Sequence, residues 1–433
     1  FKILLLCSGV IGIIGKSEGI HMNYNSYYDR LVSLYDEYGE FDRSKIPLCA
    51  AENYVSPFVK QGLISKYEGK YISGYINRDR EKDFIGSDYL EKILLLANDM
   101  AADLFGAKYN DFRSLTGMNT VALILMTLIG KETKILITDP QSGGHGSLPK
   151  LCTNLGVRYE SIPYNYSLMQ IDYDKLNYIL AHDDTISFLF FCQSDVIQPP
   201  ELKLIKLPPH VGIIYDATQT LGLIAGKVLP NPLSVYDNTI IIGGTHKTFP
   251  SVTCGYVATN NDGYIQKVNQ NISPNFLRNV QINNITSVCL TMLEMLKFGN
   301  DYASKTVCIA NALGAALNEY DIPVKHTTDS SFSHTHQLFI EHPLDKVDFT
   351  YAQFRNYGIT LNKRKTNYLT GFRVGVQEIA RYGFDKHIPE LARLLYLILR
   401  SPAKKSEIMS IKAQLAQLKT DQYVIDTLFM ELE

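Results

Sequence analysis

The chain predicts an α/β fold, with a large domain on a mainly parallel central sheet and a small α+β C-terminal domain. Three observations predict it. Short runs rich in Ile, Leu and Phe recur between helical stretches: KILIT at 134–138, ISFLFF at 186–191, GIIY at 212–215 and TIII at 239–242. Runs without polar alternation suit strands buried on both faces, the state of parallel strands covered by crossover helices. Around residue 300 the pattern shifts to a long helix, a strand near 335–341 and C-terminal helices. Length agrees: 433 residues, 45% of them hydrophobic, suit two to three domains and can bury about three quarters of the unfolded surface.

Taken in order, residues 1–21 hold an apolar run at 3–14 behind a Lys. The run resembles the core of a signal peptide and is too short for a membrane span. We expect 1–21 to be an extension foreign to the natural chain, with Met22 its start. Over 24–38 apolar residues recur at helical spacing, predicting an N-terminal arm at 22–45. The stretch LLLANDMAADLFG at 94–106 reads as a helix closed by Gly106. The large domain is expected to span 46–300 and the small one 301–433, without internal repeats.

Charge and cysteine usage bound the function. Forty-two basic and 44 acidic residues leave a net charge of -2, which excludes a broadly cationic nucleic-acid or membrane-surface protein. Seven cysteines are scattered singly with no CxxC pair. That distribution predicts reduced thiols in a cytoplasmic protein and no metal site.

The chemistry gathers behind the predicted strands. Asp216 follows GIIY at once, at the carboxyl end of a parallel strand, where such sheets place ligands; capping the next helix is the competing role. After TIII come two glycines and then His246, Lys247 and Thr248. A Lys directly behind a buried strand is a candidate Schiff-base amine. Together, a Lys for an aldehyde and a carboxylate for a pyridinium nitrogen are what pyridoxal phosphate requires. Thr116 and Gly117 in SLTGMN lead into an apolar helix, which offers a phosphate cradle. His145 in SGGHGS could stack on a flat ring.

These residues resemble the serine hydroxymethyltransferase family of fold-type I pyridoxal-phosphate enzymes, as a divergent member. The resemblance is carried by AAENYVSP (50–57), KYEGKY (66–71), LTGMNT (115–120), SGGH (142–145), YDATQTLGLIAG (215–226), THKT (245–248) and GFRVGVQEIARYG (371–383), in the family's order over roughly 28 to 385. It implies Lys247 as the cofactor lysine, Asp216 as the pyridinium partner and His145 as the stacking imidazole. It further implies Thr116, Gly117, Gln219 and His246 as cofactor neighbours, and Arg373 as the clamp on the substrate carboxylate, a task suited to a guanidinium fork. Tyr67 and Glu68 fit a segment that reaches the neighbouring subunit's active site, with the Glu handling protons. A homodimer with shared sites is therefore implied. Tyr71 or Tyr75 takes up a further tyrosine role, with substrate binding assigned to Tyr71.

Departures from the family pattern bear on the reaction. Ala51 stands where the family has a Ser that meets the substrate carboxylate. Gln219 stands where it has a His, and an amide cannot titrate near neutral pH. The leucines flanking the folate slot are replaced by Pro140 and Gly146, which give less apolar wall. The stretch 75–82 is longer and charged. Arg278-Asn279 replaces a glycine pair that meets the phosphate across the dimer, so Arg278 either supplies that charge or is an ordinary surface residue. The expectation is a pyridoxal-phosphate enzyme that makes or breaks the Cα–Cβ bond of a β-hydroxy-amino acid or glycine by aldol, retro-aldol or transaldol chemistry, independent of folate. Tetrahydrofolate-dependent glycine/serine interconversion competes with it. So do another reaction on the same scaffold (racemisation, decarboxylation or β-substitution) and a non-catalytic relative.

Overall fold

The computed structural model describes residues 24–74, 84–130 and 133–426, so the apolar run at 3–14, Met22 and Tyr75 lie outside them. The chain divides at residue 44 into an N-terminal helical unit and a compact unit, Lys45–Glu433. The first is helix α1 (Tyr24–Ser44), longer than the predicted 24–38. It has no buried residue, and Tyr27, Leu31, Tyr35 and Tyr38 stand exposed along it.

In the second unit, β1 (Ile46–Pro47) and the short α2 (Pro57–Lys60) precede α3 (Ser87–Phe105). Helix α3 starts seven residues before the apolar stretch that predicts it, because its first turns are polar. Gly106 ends it at φ 63°, where a side chain would be strained. There follow β2 (Tyr109–Asp111), α4 (Gly117–Leu128), β3 (Lys134–Ile137), α5 (Ser147–Leu155) and β4 (Arg158–Ser161). A small hairpin, β5 (Tyr164–Asn165) with β6 (Gln170–Ile171), leads into α6 (Tyr173–His182). Then come β7 (Ile186–Cys192), β8 (Gly212–Asp216), α7 (Leu221–Ala225), β9 (Thr239–Gly244), β10 (Gly255–Thr259) and α8 (Asp262–Asn271).

The central sheet has seven strands in the order β2-β10-β9-β8-β7-β3-β4. From β9 to β4 every pairing is parallel, whereas β10 runs antiparallel to both β9 and β2. Every residue of β9 and β10 is buried, which explains why those runs show no polar alternation.

The long helix α9 (Ile282–Asn318) begins well before residue 300 and buries a stripe of residues from Ile282 to Leu317. Beyond it lies a second, antiparallel sheet. Its strands are β11 (Gln337–Glu341), β13 (Asn362–Lys365) and β14 (Thr370–Gly375), in the order β11-β14-β13. Helix α10 (Val347–Asn356) and strand β12 (Ile359–Thr360) lie between β11 and β13 in the chain, and β12 pairs parallel with β1. Helices α11 (Gln377–Arg381), α12 (Ile388–Arg400) and α13 (Lys405–Ala416) follow. None of the described helices is long and apolar enough to cross a membrane.

Candidate active site

The carboxyl ends of β9, β8, β7 and β3, parallel neighbours in that order, lie side by side along one edge of the sheet, where such sheets place ligands. Asp216 is the last residue of β8. Its Oδ1 accepts hydrogen bonds from the backbone N (2.9 Å) and hydroxyl (2.5 Å) of Thr218, and its Oδ2 accepts from the Cys192 thiol at 3.1 Å. The Thr218 hydroxyl in turn accepts from Gly244 N at 2.9 Å, which ties β8 to the end of β9. Three donors fix the carboxylate's direction before any ligand arrives.

Lys247 sits on the loop after β9, which its neighbours pin on both sides. The hydroxyl of Thr245 donates to Val252 O at 2.6 Å, and that of Thr248 to Gln219 O at 2.8 Å. The amide of Asn53 donates to Lys247 O at 2.5 Å and to the Tyr302 hydroxyl at 2.9 Å. Burial lowers the Lys247 amine from the ordinary lysine range, and the Arg373 charge adds to this against the opposing pull of Asp216. A neutral amine is the form that attacks an aldehyde. His145 is half-buried, with Nδ1 accepting from Ser147 N at 3.2 Å. Burial keeps it below the usual histidine range, as it does His246, pushed down to about 4.

Thr116 caps α4 by accepting from Asn119 N. A Cβ on Gly117 would come within 3.1 Å of Gly244 N and 3.3 Å of the Thr218 hydroxyl, so the helix start abuts the end of β9. Backbone N–H groups at such a start attract a phosphate. The residues fit pyridoxal phosphate: a half-buried amine of lowered basicity, a fixed carboxylate, an imidazole and a glycine-lined helix start.

Other predicted residues are placed differently. Gln219 is buried and accepts from the Gln337 amide at 3.1 Å, so it is one half of an amide pair. Arg373 on β14 is buried, with Nη1 donating to Ser194 O and Asp195 Oδ1, both at 2.7 Å, and its other contacts to Asn362. Tyr67 is half-buried and Glu68 exposed. Tyr71, also exposed, packs on Phe84. Arg278 is exposed, while Asn279 accepts from Ile72 N at 3.0 Å.

Sequence reasoning gave no role to five participants: Asn53, Cys192, Asp195, Gln337 and Arg364, the last paired with Asp195 at 2.5 Å. Cys192 and Asp195 end or follow the buried run 186–192, and this position at the strand's carboxyl end was the available signal. Asn53 lies in the AAENYVSP stretch that carries the resemblance, which was its signal; nothing local marks Gln337 or Arg364, which matter only through partners distant in sequence.

The sequence profile of the serine hydroxymethyltransferase family matches residues 27–388. The chain belongs to that family. Relatives named serine hydroxymethyltransferase include one from Thermococcus gammatolerans, 28% identical over 87% of this chain and 92% of its own length. Another, from Thermoplasma volcanium, is 29% identical over 87% and 90%. Among solved structures, an L-threonine transaldolase from Pseudomonas fluorescens, in an internal aldimine state, superposes with a TM-score of 0.83 at 24% identity over 92% of each chain. Members of the serine hydroxymethyltransferase family are fold-type I pyridoxal-phosphate enzymes, and this chain is one of them, a transferase or aldolase acting at the Cα–Cβ bond of amino acids.

Proposed function

We propose that the enzyme makes or breaks the Cα–Cβ bond of a β-hydroxy-amino acid or glycine and takes an aldehyde directly, without folate. The observation that carries this reading is a contrast within one site. Asp216, His145 and the start of α4 lie close to Lys247 and the end of β9, which supports a cofactor site there, whereas the wall expected to hold a folate is thin. At Gly146 an added side chain would meet nothing within 4 Å, and Pro140 gives little apolar cover where a pterin needs it. The likeness to an L-threonine transaldolase supports the same choice.

Bound there, pyridoxal phosphate supplies an electron sink for a Cα carbanion. Asp216 would hold its ring nitrogen, His145 would cover the ring, and the start of α4 would take the phosphate. Lys247 would carry the cofactor through its amine, which burial keeps less basic than an ordinary lysine. Arg373 meets the amino-acid carboxylate. In this reading Tyr67, Glu68 and Tyr71 serve the site of a second copy, with Glu68 moving the proton of the β-hydroxyl. The exposed apolar face of α1 supports a homodimer, and we place the two lobes at 46–300 and 301–433. The described cysteines are all unpaired, which supports a reducing cytoplasm.

Folate-dependent glycine/serine hydroxymethyl transfer is the second reading, favoured by the names of the relatives. The test is cleavage of L-threonine and L-serine with and without tetrahydrofolate. Aldehyde release from threonine without folate is expected; strict dependence on folate for both substrates would refute the proposal.

A further inference from the structure

Arg373 is the group on which amino-acid recognition rests in the proposed reading, yet the protein itself uses most of its donors. A guanidinium has five N–H donors in a fixed fork. In Arg373, Nε and Nη2 point to Asn362 Oδ1 at 3.2 and 2.6 Å, and Nη1 points to Ser194 O and Asp195 Oδ1, both at 2.7 Å. One N–H, on Nη2, is left. A substrate carboxylate therefore finds a single donor where a free fork would give two.

The competitor for the missing donor is a carboxylate already in place. Asp195 is buried and accepts from Arg364 Nε (2.5 Å) and Nη2 (2.9 Å) and from the Tyr368 hydroxyl (2.5 Å), besides Arg373. Burial alone would raise this carboxyl, but the two guanidiniums hold it below the ordinary range, so it is an anion. With that many donors fixing it, Asp195 cannot turn aside when a ligand arrives.

We infer that Asp195 is an internal carboxylate competing with the substrate's α-carboxylate for Arg373, and that it sets a deliberately weak grip on the amino acid. The inference rests on the proposed role of Arg373. Two effects add. Asp195 takes the Nη1 donor that would complete the bidentate pair, and its charge opposes a second carboxylate across one guanidinium in a poorly solvated site. Arg364 moderates the second effect: two guanidiniums against one carboxylate leave one net positive charge, enough to admit a monoanion. Asp195 is a specificity-setting residue that acts through Arg373, without touching the reacting atoms.

The experiment is titration of the cofactor-loaded enzyme and its Asp195→Asn and Asp195→Ala variants with L-serine and with ethanolamine, the same skeleton without the carboxylate. Binding is read from the absorbance of the bound cofactor. Both variants should bind L-serine at least about tenfold tighter, about 1.4 kcal/mol, with ethanolamine binding unchanged within about twofold. Asp195→Asn keeps the shape and an acceptor oxygen for Arg364, so it decides the question if the Ala variant does not fold. L-serine bound equally or more weakly by the Asn variant, no binding by either protein, or equal tightening for ethanolamine would each overturn the inference. Product analysis separates this from the proposed reaction. Tighter serine binding with no Cα–Cβ cleavage removes the reaction and keeps Asp195. Cleavage in a variant that gains no affinity does the reverse.

Discussion

Gln337→Leu removes a buried amide that joins the two sheets and leaves the volume nearly unchanged. Gln337 is fully buried, with Oε1 accepting from Val196 N at 3.0 Å and Nε2 donating to Ser194 O and Gln219 Oε1, both at 3.1 Å. Ser194 O keeps the Arg373 donor after the change. Val196 N and Gln219 Oε1 lose their partner. Each buried polar group left unpaired costs about 1–3 kcal/mol, so the pair costs about 4 kcal/mol. The added apolar burial returns about 1 kcal/mol, leaving about 3 kcal/mol. An unfolding entropy of about 2.1 cal/mol/K per residue over 433 residues turns this into a fall of about 3 °C in Tm. Because the chain has no Trp, far-UV circular dichroism or calorimetry at a fixed scan rate is the suitable readout. A Tm within about 1 °C of the parent would refute the pairing. A second arm checks its specificity: Gln219→Leu should cost less in the Gln337→Leu background than in the parent, since the orphaned oxygen is already without a partner. Strict additivity would also count against it.

Two further outcomes follow from the site. Lys247→Ala should abolish the absorption near about 420 nm that pyridoxal phosphate shows when joined to a lysine, and persistence of that band would reassign the lysine. Burial pushes His336 down to about 3 and His246 down to about 4, both below the unfolded value of about 6.5. From about pH 6.5 downward the unfolded chain therefore binds protons that the folded one refuses, and stability must fall as pH drops toward 4 and 3. His336→Asn should flatten the decline of Tm with acidification, and an unchanged slope would show that His336 contributes none of it.

The residues proposed to serve the cofactor stood out in the sequence because each stands beside its own structural signal. Asp216 and Lys247 directly follow buried apolar runs, and Thr116 and Gly117 open an apolar helix, so period and punctuation locate them. Element ends were less legible. The first turns of α3 are polar, and α9 starts well before the shift near residue 300, since hydrophobic pattern marks the buried face and not the hydrogen-bonded ends. Strands β2 and β10 went unread, although their antiparallel pairings complete the sheet. The substrate half was harder. Gln219 read as a lost imidazole, and its meaning changed once Gln337, 118 positions away, proved to be its partner. Arg373 read as a free fork until Asp195, 178 positions away, was found bonded to it.

By itself the sequence determined the fold class and the family, because each depends on neighbours within a strand, a turn or a helix start. Only the tertiary structure decided how the charges are shared. Whether Arg373 offers two donors or one depends on which acceptors the folded chain brings within about 3 Å, and chain order carries no record of that distance.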